Sequence, residues 1–165
     1  MDAVNKLITF IGKAVAWLIL AMVLLTFIIV ILRYGFNQGW IWLQESVTYM
    51  HAIVFMIAAA WTLQLDGHVR VDIFYRDRSR KYQALINIAG TVFFLLPFCI
   101  FMLIIGWEYV YASWRLFEGS REAGGLPLVY LLKSLILLLP GLLLLQALSG
   151  LVQCIDEVRG LRSGL

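Results

Sequence analysis

Four stretches of this chain are too long and too apolar to be anything but membrane spans. Residues 14–32 carry no charge over 19 positions, 46–65 none over 20, 84–107 none over 24 and 134–155 none over 22. A hydrocarbon layer about 30 Å thick takes roughly 20 helical residues to cross. Inside it every backbone N–H and C=O must be paired within the segment, which leaves the α-helix. The expected fold class is all-α: a polytopic membrane protein with four transmembrane helices plus interfacial helical segments, forming a single four-helix domain over residues 1–165.

Composition narrows the function classes. Hydrophobic residues make up 62% of the chain and charged residues 14%, whereas a soluble domain is nearer half apolar and a quarter charged. No appended soluble domain is expected. The net charge of +3 is small and its basic residues sit in the connections, which suits lipid headgroups and gives no basis for a nucleic-acid partner. Cys99 and Cys154 each lie within an apolar run and form no CxxC pair, so they read as small buried thiols. The first apolar run is longer than a signal-peptide core and lacks a clear small-x-small cleavage site, so it is expected to be a retained span.

Lys and Arg set the expected orientation. Nine of them lie in the N-terminal segment, the 66–83 connection and the tail after residue 155, against four in the other two connections. By the positive-inside rule both termini face the cytoplasm. The first outer connection, 33–45, carries Tyr34, Phe36, Trp40 and Trp42 and is expected to lie along the headgroup layer. The largely apolar 69–75 stretch is expected against the inner surface. The second outer connection holds Glu118, Arg121 and a Gly124-Gly125-Leu126-Pro127 run. Pro97 and Pro140 fall within the third and fourth spans, where each removes a backbone donor and can bend its helix.

Little in the spans can do chemistry. No charge lies in their central parts, and intramembrane charge is the usual mark of an ion or proton path. His51 and His68 lie near opposite ends of one span, so they cannot share a haem iron. Asp66, His68 and Asp72 are a weak metal constellation and read better as helix-end caps, with Arg70 as a partner. Glu45 is expected at the N-terminus of the second span, favoured there by the helix dipole, with Arg33 across the short connection as its ion-pair partner. No phosphate loop, nucleophile triad or Walker lysine is present, so no enzyme activity is expected.

Several segments, in order, resemble the small, DctQ-like membrane subunits of tripartite ATP-independent periplasmic (TRAP) transporters. They are Arg33-Tyr34-Gly35-Phe36-Asn37 with Trp42 and Gln44-Glu45; Gly67-His68-Val69-Arg70-Val71-Asp72; and Gly124-Gly125-Leu126-Pro127 with Lys133 and Leu145-Gln146-Ala147-Leu148. Gln44 departs from the resemblance, which often has a second carboxylate there. The resemblance implies a scaffold and anchor for a large multi-span permease in the inner membrane of a bacterial or archaeal cell. It implies a periplasmic substrate-binding protein as a further partner, alongside membrane lipids, and sodium-driven uptake of an organic acid. No cofactor is expected in this chain, and sodium is expected to bind the large partner subunit. The positions singled out for structure or docking are Arg33, Asn37, Trp42, Glu45, His68, Asp72, Glu118 and Arg121. Two alternatives stand beside this reading: a self-contained, homo-oligomeric small transporter built on His51, Gln64, Gln146, Thr26 and Thr48, and an assembly subunit of another membrane complex.

Overall fold

The computed structural model describes residues 2–68, 75 and 78–163, and among these it contains no strand. Helix α1 spans Asp2–Gly35 and α2 spans Ile41–Gln64. Helix α3 (Arg80–Gly90) continues through a π-helical turn, Thr91–Leu95, into α4 (Leu96–Arg115), and α5 spans Val129–Ser163. These make four helices long and apolar enough to cross a membrane, so the chain is a multi-pass membrane protein.

The helices run well past the apolar stretches that nucleate them. The 34 residues of α1 and 35 of α5 correspond to about 50 Å each at 1.5 Å per residue, more than a bilayer core requires. The connection between the first two spans is accordingly shorter than the sequence suggests. Residues 33–35 belong to α1 and 41–45 to α2, leaving only 36–40 between helices. Most of the 69–75 stretch lies outside the described residues.

The π turn has a local cause. Pro97 has no N–H to give to the carbonyl four residues earlier, and its ring crowds that carbonyl. Directly before it the helix widens, and the Leu96 N–H bonds the Thr91 carbonyl five residues back. Pro140, inside α5, is fully buried.

Packing follows a seven-residue beat on α1. Ile8, Val15, Met22 and Ile29 recur every seven residues, with Ile11, Leu18, Leu25 and Leu32 between them, and all are buried or half-buried. That 3.5-residue period is the seam of a left-handed helix pair, and α1 lays it along α2. Gly12 lies on the same side, where a Cβ would fall within 2.6 Å of Trp61 ring carbon Cε3. On the other side of α2 comes α5, and α5 packs in turn on α3 and α4. Gly106 of α4 makes the last approach close: a Cβ there would lie 3.1 Å from Leu137 of α5. Among the described residues no Cα of α1 or α2 comes within 8 Å of a Cα of α3 or α4.

The helices therefore form an open row, α1–α2–α5–α4, rather than a closed bundle. Burial records this. Of the most apolar window in each helix, 28% is buried in α5 and 6% in each of the others. The small core joins Ile8, Ala60, Cys99, Leu142 and Leu143. It lies at the end where the chain begins, and polar contacts pin it there. The Gln64 amide donates to the Asn5 carbonyl (3.1 Å) and accepts from Thr9 (3.2 Å), while Ser149 donates to the Asn5 side chain (3.3 Å).

Since Trp61 covers Gly12, replacing Gly12 with Leu should force α1 off α2. Overpacking of this kind costs about 1–3 kcal/mol, and it should appear as a lowered thermal midpoint in detergent, with helical content kept below the transition.

Candidate functional site

At the end remote from the termini, the connection between α4 and α5 folds into an ordered platform held on the start of α2. The platform begins where α4 stops. The Phe117 N–H bonds the Trp114 carbonyl (3.2 Å) and the Glu118 N–H bonds that of Ser113 (3.1 Å). This is a Schellman ending, with Phe117 in the left-handed position (φ 44°). Phenylalanine is a costly choice there, and the compensation is packing. Its ring meets Tyr130 edge-on at 5.7 Å, and Tyr130 meets Trp114 in the same manner at 4.8 Å. Trp114 Nε1 also donates to Ser134 at 2.8 Å. Helix α2 ends in the same hydrogen-bond pattern, with Asp66 (φ 58°) in the left-handed position.

Glu45 is the centre of the platform. One carboxylate oxygen accepts from the Ser120 hydroxyl and the other from the Leu126 N–H at 2.6 Å. Ser120 and Leu126 close the loop between them through a backbone bond of 2.9 Å. Gly125 sits inside this ring. A Cβ on it would collide with Ser120 and come within 2.9 Å of Glu45 Oε1, so the loop closes only around glycine. The adjacent Gly124 takes φ 78°, a conformation natural to glycine.

A second anchor fixes the loop to α5. Lys133 Nζ lies 2.5 Å from Glu118 Oε2 and 4.1 Å above the centre of the Tyr109 ring. The hydrogen bond from Lys133 holds the Glu118 carboxyl below its ordinary value.

The structure corrects two expectations about Glu45. It lies in the second turn of α2, not the first, and the first turn holds no acidic residue. It also forms no pair with Arg33, because both of its oxygens are taken by the α4–α5 loop and Arg33 stays exposed on the last turn of α1. Asn37 acts as a stop. With φ 53° it turns the chain so that the Gln38 N–H bonds the Leu32 carbonyl at 2.9 Å, and asparagine tolerates this region better than most residues. Trp42 and Arg121 are exposed near the platform, while His68 is exposed at the opposite end. Asp72 and its expected partner Arg70 lie outside the described residues.

Of the positions expected from sequence, Glu45 and Glu118 are thus brought to one structure, and Arg121 belongs to the same loop. Ser120, Gly125 and the Leu126 N–H were missed as partners, because a carboxylate's acceptance from a loop 75 or more residues away leaves no local pattern.

The model for the DctQ component of tripartite ATP-independent periplasmic transporters matches residues 22–157, a range that takes in α2 through most of α5 and the whole platform. The chain belongs to the DctQ family. It is 32% identical over 127 residues to the C4-dicarboxylate TRAP transporter small permease protein DctQ of Vibrio cholerae. That alignment covers 73% of this chain, and the chain spans about half the length (51%) of this curated relative. No solved structure matches. The range matched by the DctQ family includes both anchors of the platform.

Two outcomes follow for this DctQ-family platform. Replacing Gly125 with Ala should open the ring around Glu45, and amide exchange across 116–128 should rise while exchange in α5 stays unchanged. For Glu118, a carboxyl whose pKa is lowered in the fold contributes stability that is present above its unfolded value and lost as pH falls through the folded one. Amide protection factors in the same loop should therefore fall on acidification below the ordinary carboxylate range, and Glu118→Gln should weaken that dependence, leaving the part carried by the Glu45 carboxylate.

Proposed function

We propose that this chain is the small membrane subunit of a TRAP transporter for organic acids, and that it braces a large multi-span permease in the inner membrane. The observation that carries this reading is the outward face of α2. Gln44, Thr48, His51 and Phe55 recur at steps of four, three and four, and all are exposed. The Thr48 hydroxyl turns back to the Gln44 carbonyl (3.4 Å) and His51 stacks on Phe55. Among the described residues the Gln44 amide and the His51 ring have no hydrogen-bond partner. Lipid offers such groups nothing, and polar side chains in spans usually face protein. An open row of helices with a polar stripe on its broad side is suited to lie against a larger neighbour.

Orientation, driving force and remaining partners belong to the same proposal. The excess of basic residues at the end of the termini favours cytoplasmic termini, which turns the platform toward the periplasm. There Trp42, Arg121 and the loop held by Glu45 and Glu118 form a fixed surface on which a periplasmic substrate-binding protein docks. Sodium and substrate bind the large subunit, whose moving part slides against the scaffold. The name of the Vibrio cholerae relative makes a C4-dicarboxylate the first substrate to try. The self-contained transporter is less well supported. Thr26 and Thr48 hydroxyls bond carbonyls of their own helices, and Gln64 is held by Asn5 and Thr9.

Co-expression of the tagged chain with the large permease, followed by purification in mild detergent, tests the reading. The parent should recover the permease in near-equal amount. The double change Gln44→Leu with His51→Leu should lower that recovery and the uptake rate several-fold, with the isolated chain as helical as before. Undiminished recovery from the double variant, or uptake by the chain alone in liposomes, would refute the proposal.

A further inference from the structure

Gln64, the last residue of α2, borders two cavities at the end of the molecule near the termini. One, of about 550 Å³, lies between α2, α3, the π turn and α5, and Gln146 on its wall has an Oε1 without a hydrogen-bond partner. The other is a groove of about 470 Å³ between the start of α1 and the end of α2, lined by Asn5, Lys6, Thr9, Phe10, Lys13 and Gln64. The chemistry of this second groove is one-sided.

A polar knot that joins three helices fixes its floor. Gln64 Oε1 accepts from the Thr9 hydroxyl, the Gln64 amide nitrogen donates to the Asn5 carbonyl, and Asn5 Oδ1 accepts from Ser149 of α5. The side-chain oxygens of both amides are thereby engaged. Among the described residues the Asn5 side-chain NH₂ and the ammoniums of Lys6 and Lys13 have no hydrogen-bond or ion-pair partner. All three are donors.

Their spacing aims them at one place. Lys6, Thr9 and Lys13 follow at steps of three and four, which puts them on one face of α1. The two lysines stand about 10 Å apart along the helix axis, with Thr9 between them, and both side chains are long enough to bend toward its level. Lys13 immediately precedes the uncharged run 14–32. A lysine at the edge of the hydrocarbon extends its ammonium outward to the headgroup layer, and Lys6 reaches the same layer from the far side.

Charge selects the occupant. Asp2 is the sole acidic residue ahead of Glu45, so residues 1–13 carry two lysines against one carboxylate. An ammonium or choline headgroup would meet like charge and donors, whereas a phosphate meets its complement. Past Lys13 toward the middle of the span, Trp17 is 73% exposed and Leu20 is 50% exposed, which gives an acyl chain an apolar surface to lie on. We propose that this groove seats an anionic phospholipid with the chemistry of phosphatidylglycerol, drawn from the leaflet at the end of the termini. Its phosphate takes hydrogen bonds from Lys6, Lys13 and the Asn5 NH₂, and one acyl chain runs down over Trp17 and Leu20. The seat does not depend on which side of the membrane that end faces, or on what lies against the polar stripe of α2.

The test uses the purified full chain, delipidated in detergent, and reads thermal unfolding during titration with phosphatidylglycerol, phosphatidylcholine of matched acyl chains, or inorganic phosphate. Phosphatidylglycerol should raise the midpoint most and should remain on the chain in native mass spectrometry. Removing both ammoniums, with Lys6→Gln and Lys13→Gln together, should lower its apparent affinity on the order of tenfold and bring it to the level of phosphatidylcholine. The exposed pair Arg80 and Lys81 lies at the start of α3, and changing both to Gln removes the same charge outside the groove. That control should keep the preference. Asn5→Asp retains the acceptor for Ser149 but replaces the free donor with a negative charge, and it should abolish the preference even if the lysine variant does not fold. Equal shifts from the two lipids, a preference that survives in the Lys6/Lys13 variant, or an equal loss in the Arg80/Lys81 control would overturn the proposal. A shift from inorganic phosphate as large as that from phosphatidylglycerol would overturn it too, by showing a site for a free anion.

Discussion

The structure depends on the placement of α5 between α2 and α4. That helix joins the α1–α2 pair to the α3–α4 helix, and its most apolar window is more buried than that of any other span. Without it, the α1–α2 pair would be separate from the continuous α3–α4 helix, since among the described residues no Cα of one comes within 8 Å of a Cα of the other. In lipid this arrangement is held by close packing and by a few hydrogen bonds, because apolar surface gains little by leaving a solvent as apolar as itself. The small residues Gly12 and Gly106 and the Asn5–Gln64–Ser149 contacts therefore matter more than the long leucine runs.

The two ends of the molecule are built differently. At the end of the termini, polar side chains border an open cavity beside α3 and the π turn. At the other end, a loop rich in glycine is drawn into a rigid form by two carboxylates, Glu45 and Glu118, each taken from a different partner set. A loop fixed in this way holds its exposed groups in one arrangement, which lowers the entropy cost of docking. On the function proposed above, the open helix row offers a larger subunit a broad side to lie against, and the fixed platform offers an end to be recognised.

Much was legible in the sequence. The four uncharged runs specified the spans, and the ordered motifs from Arg33 to Leu148 pointed to the family that the comparisons then showed. The importance of Glu45 and Glu118 could be suspected from carboxylates at span ends. Their partners could not. Arg33 was the natural guess for Glu45 because it is near in sequence and opposite in charge. Ser120 and the Leu126 N–H won because the chain reversal at 36–40 leaves Arg33 exposed while the α4–α5 loop folds over α2. Likewise, Pro97 announced a helix irregularity, but not that the irregularity would be a π turn on the wall of a cavity.

The sequence by itself determined that this chain crosses a membrane four times as helices, because 20-residue apolar segments have no other way to satisfy their backbone in lipid. It did not determine the α1 seam, because Phe10, Trp17, Leu24 and Ile31 repeat at the same seven-residue spacing as Ile8, Val15, Met22 and Ile29 and are nonetheless exposed. Only the tertiary structure decided the order of the row, the exposure of Gln44, Thr48 and His51, the ring around Gly125 and the unpaired amide of Gln146. Each of these is a meeting of residues far apart in the chain. Helix faces uniformly rich in Leu, Ile and Phe do not encode which neighbour they will meet, and the choice falls to close-packing shapes and a few polar contacts that exist only once the helices are together.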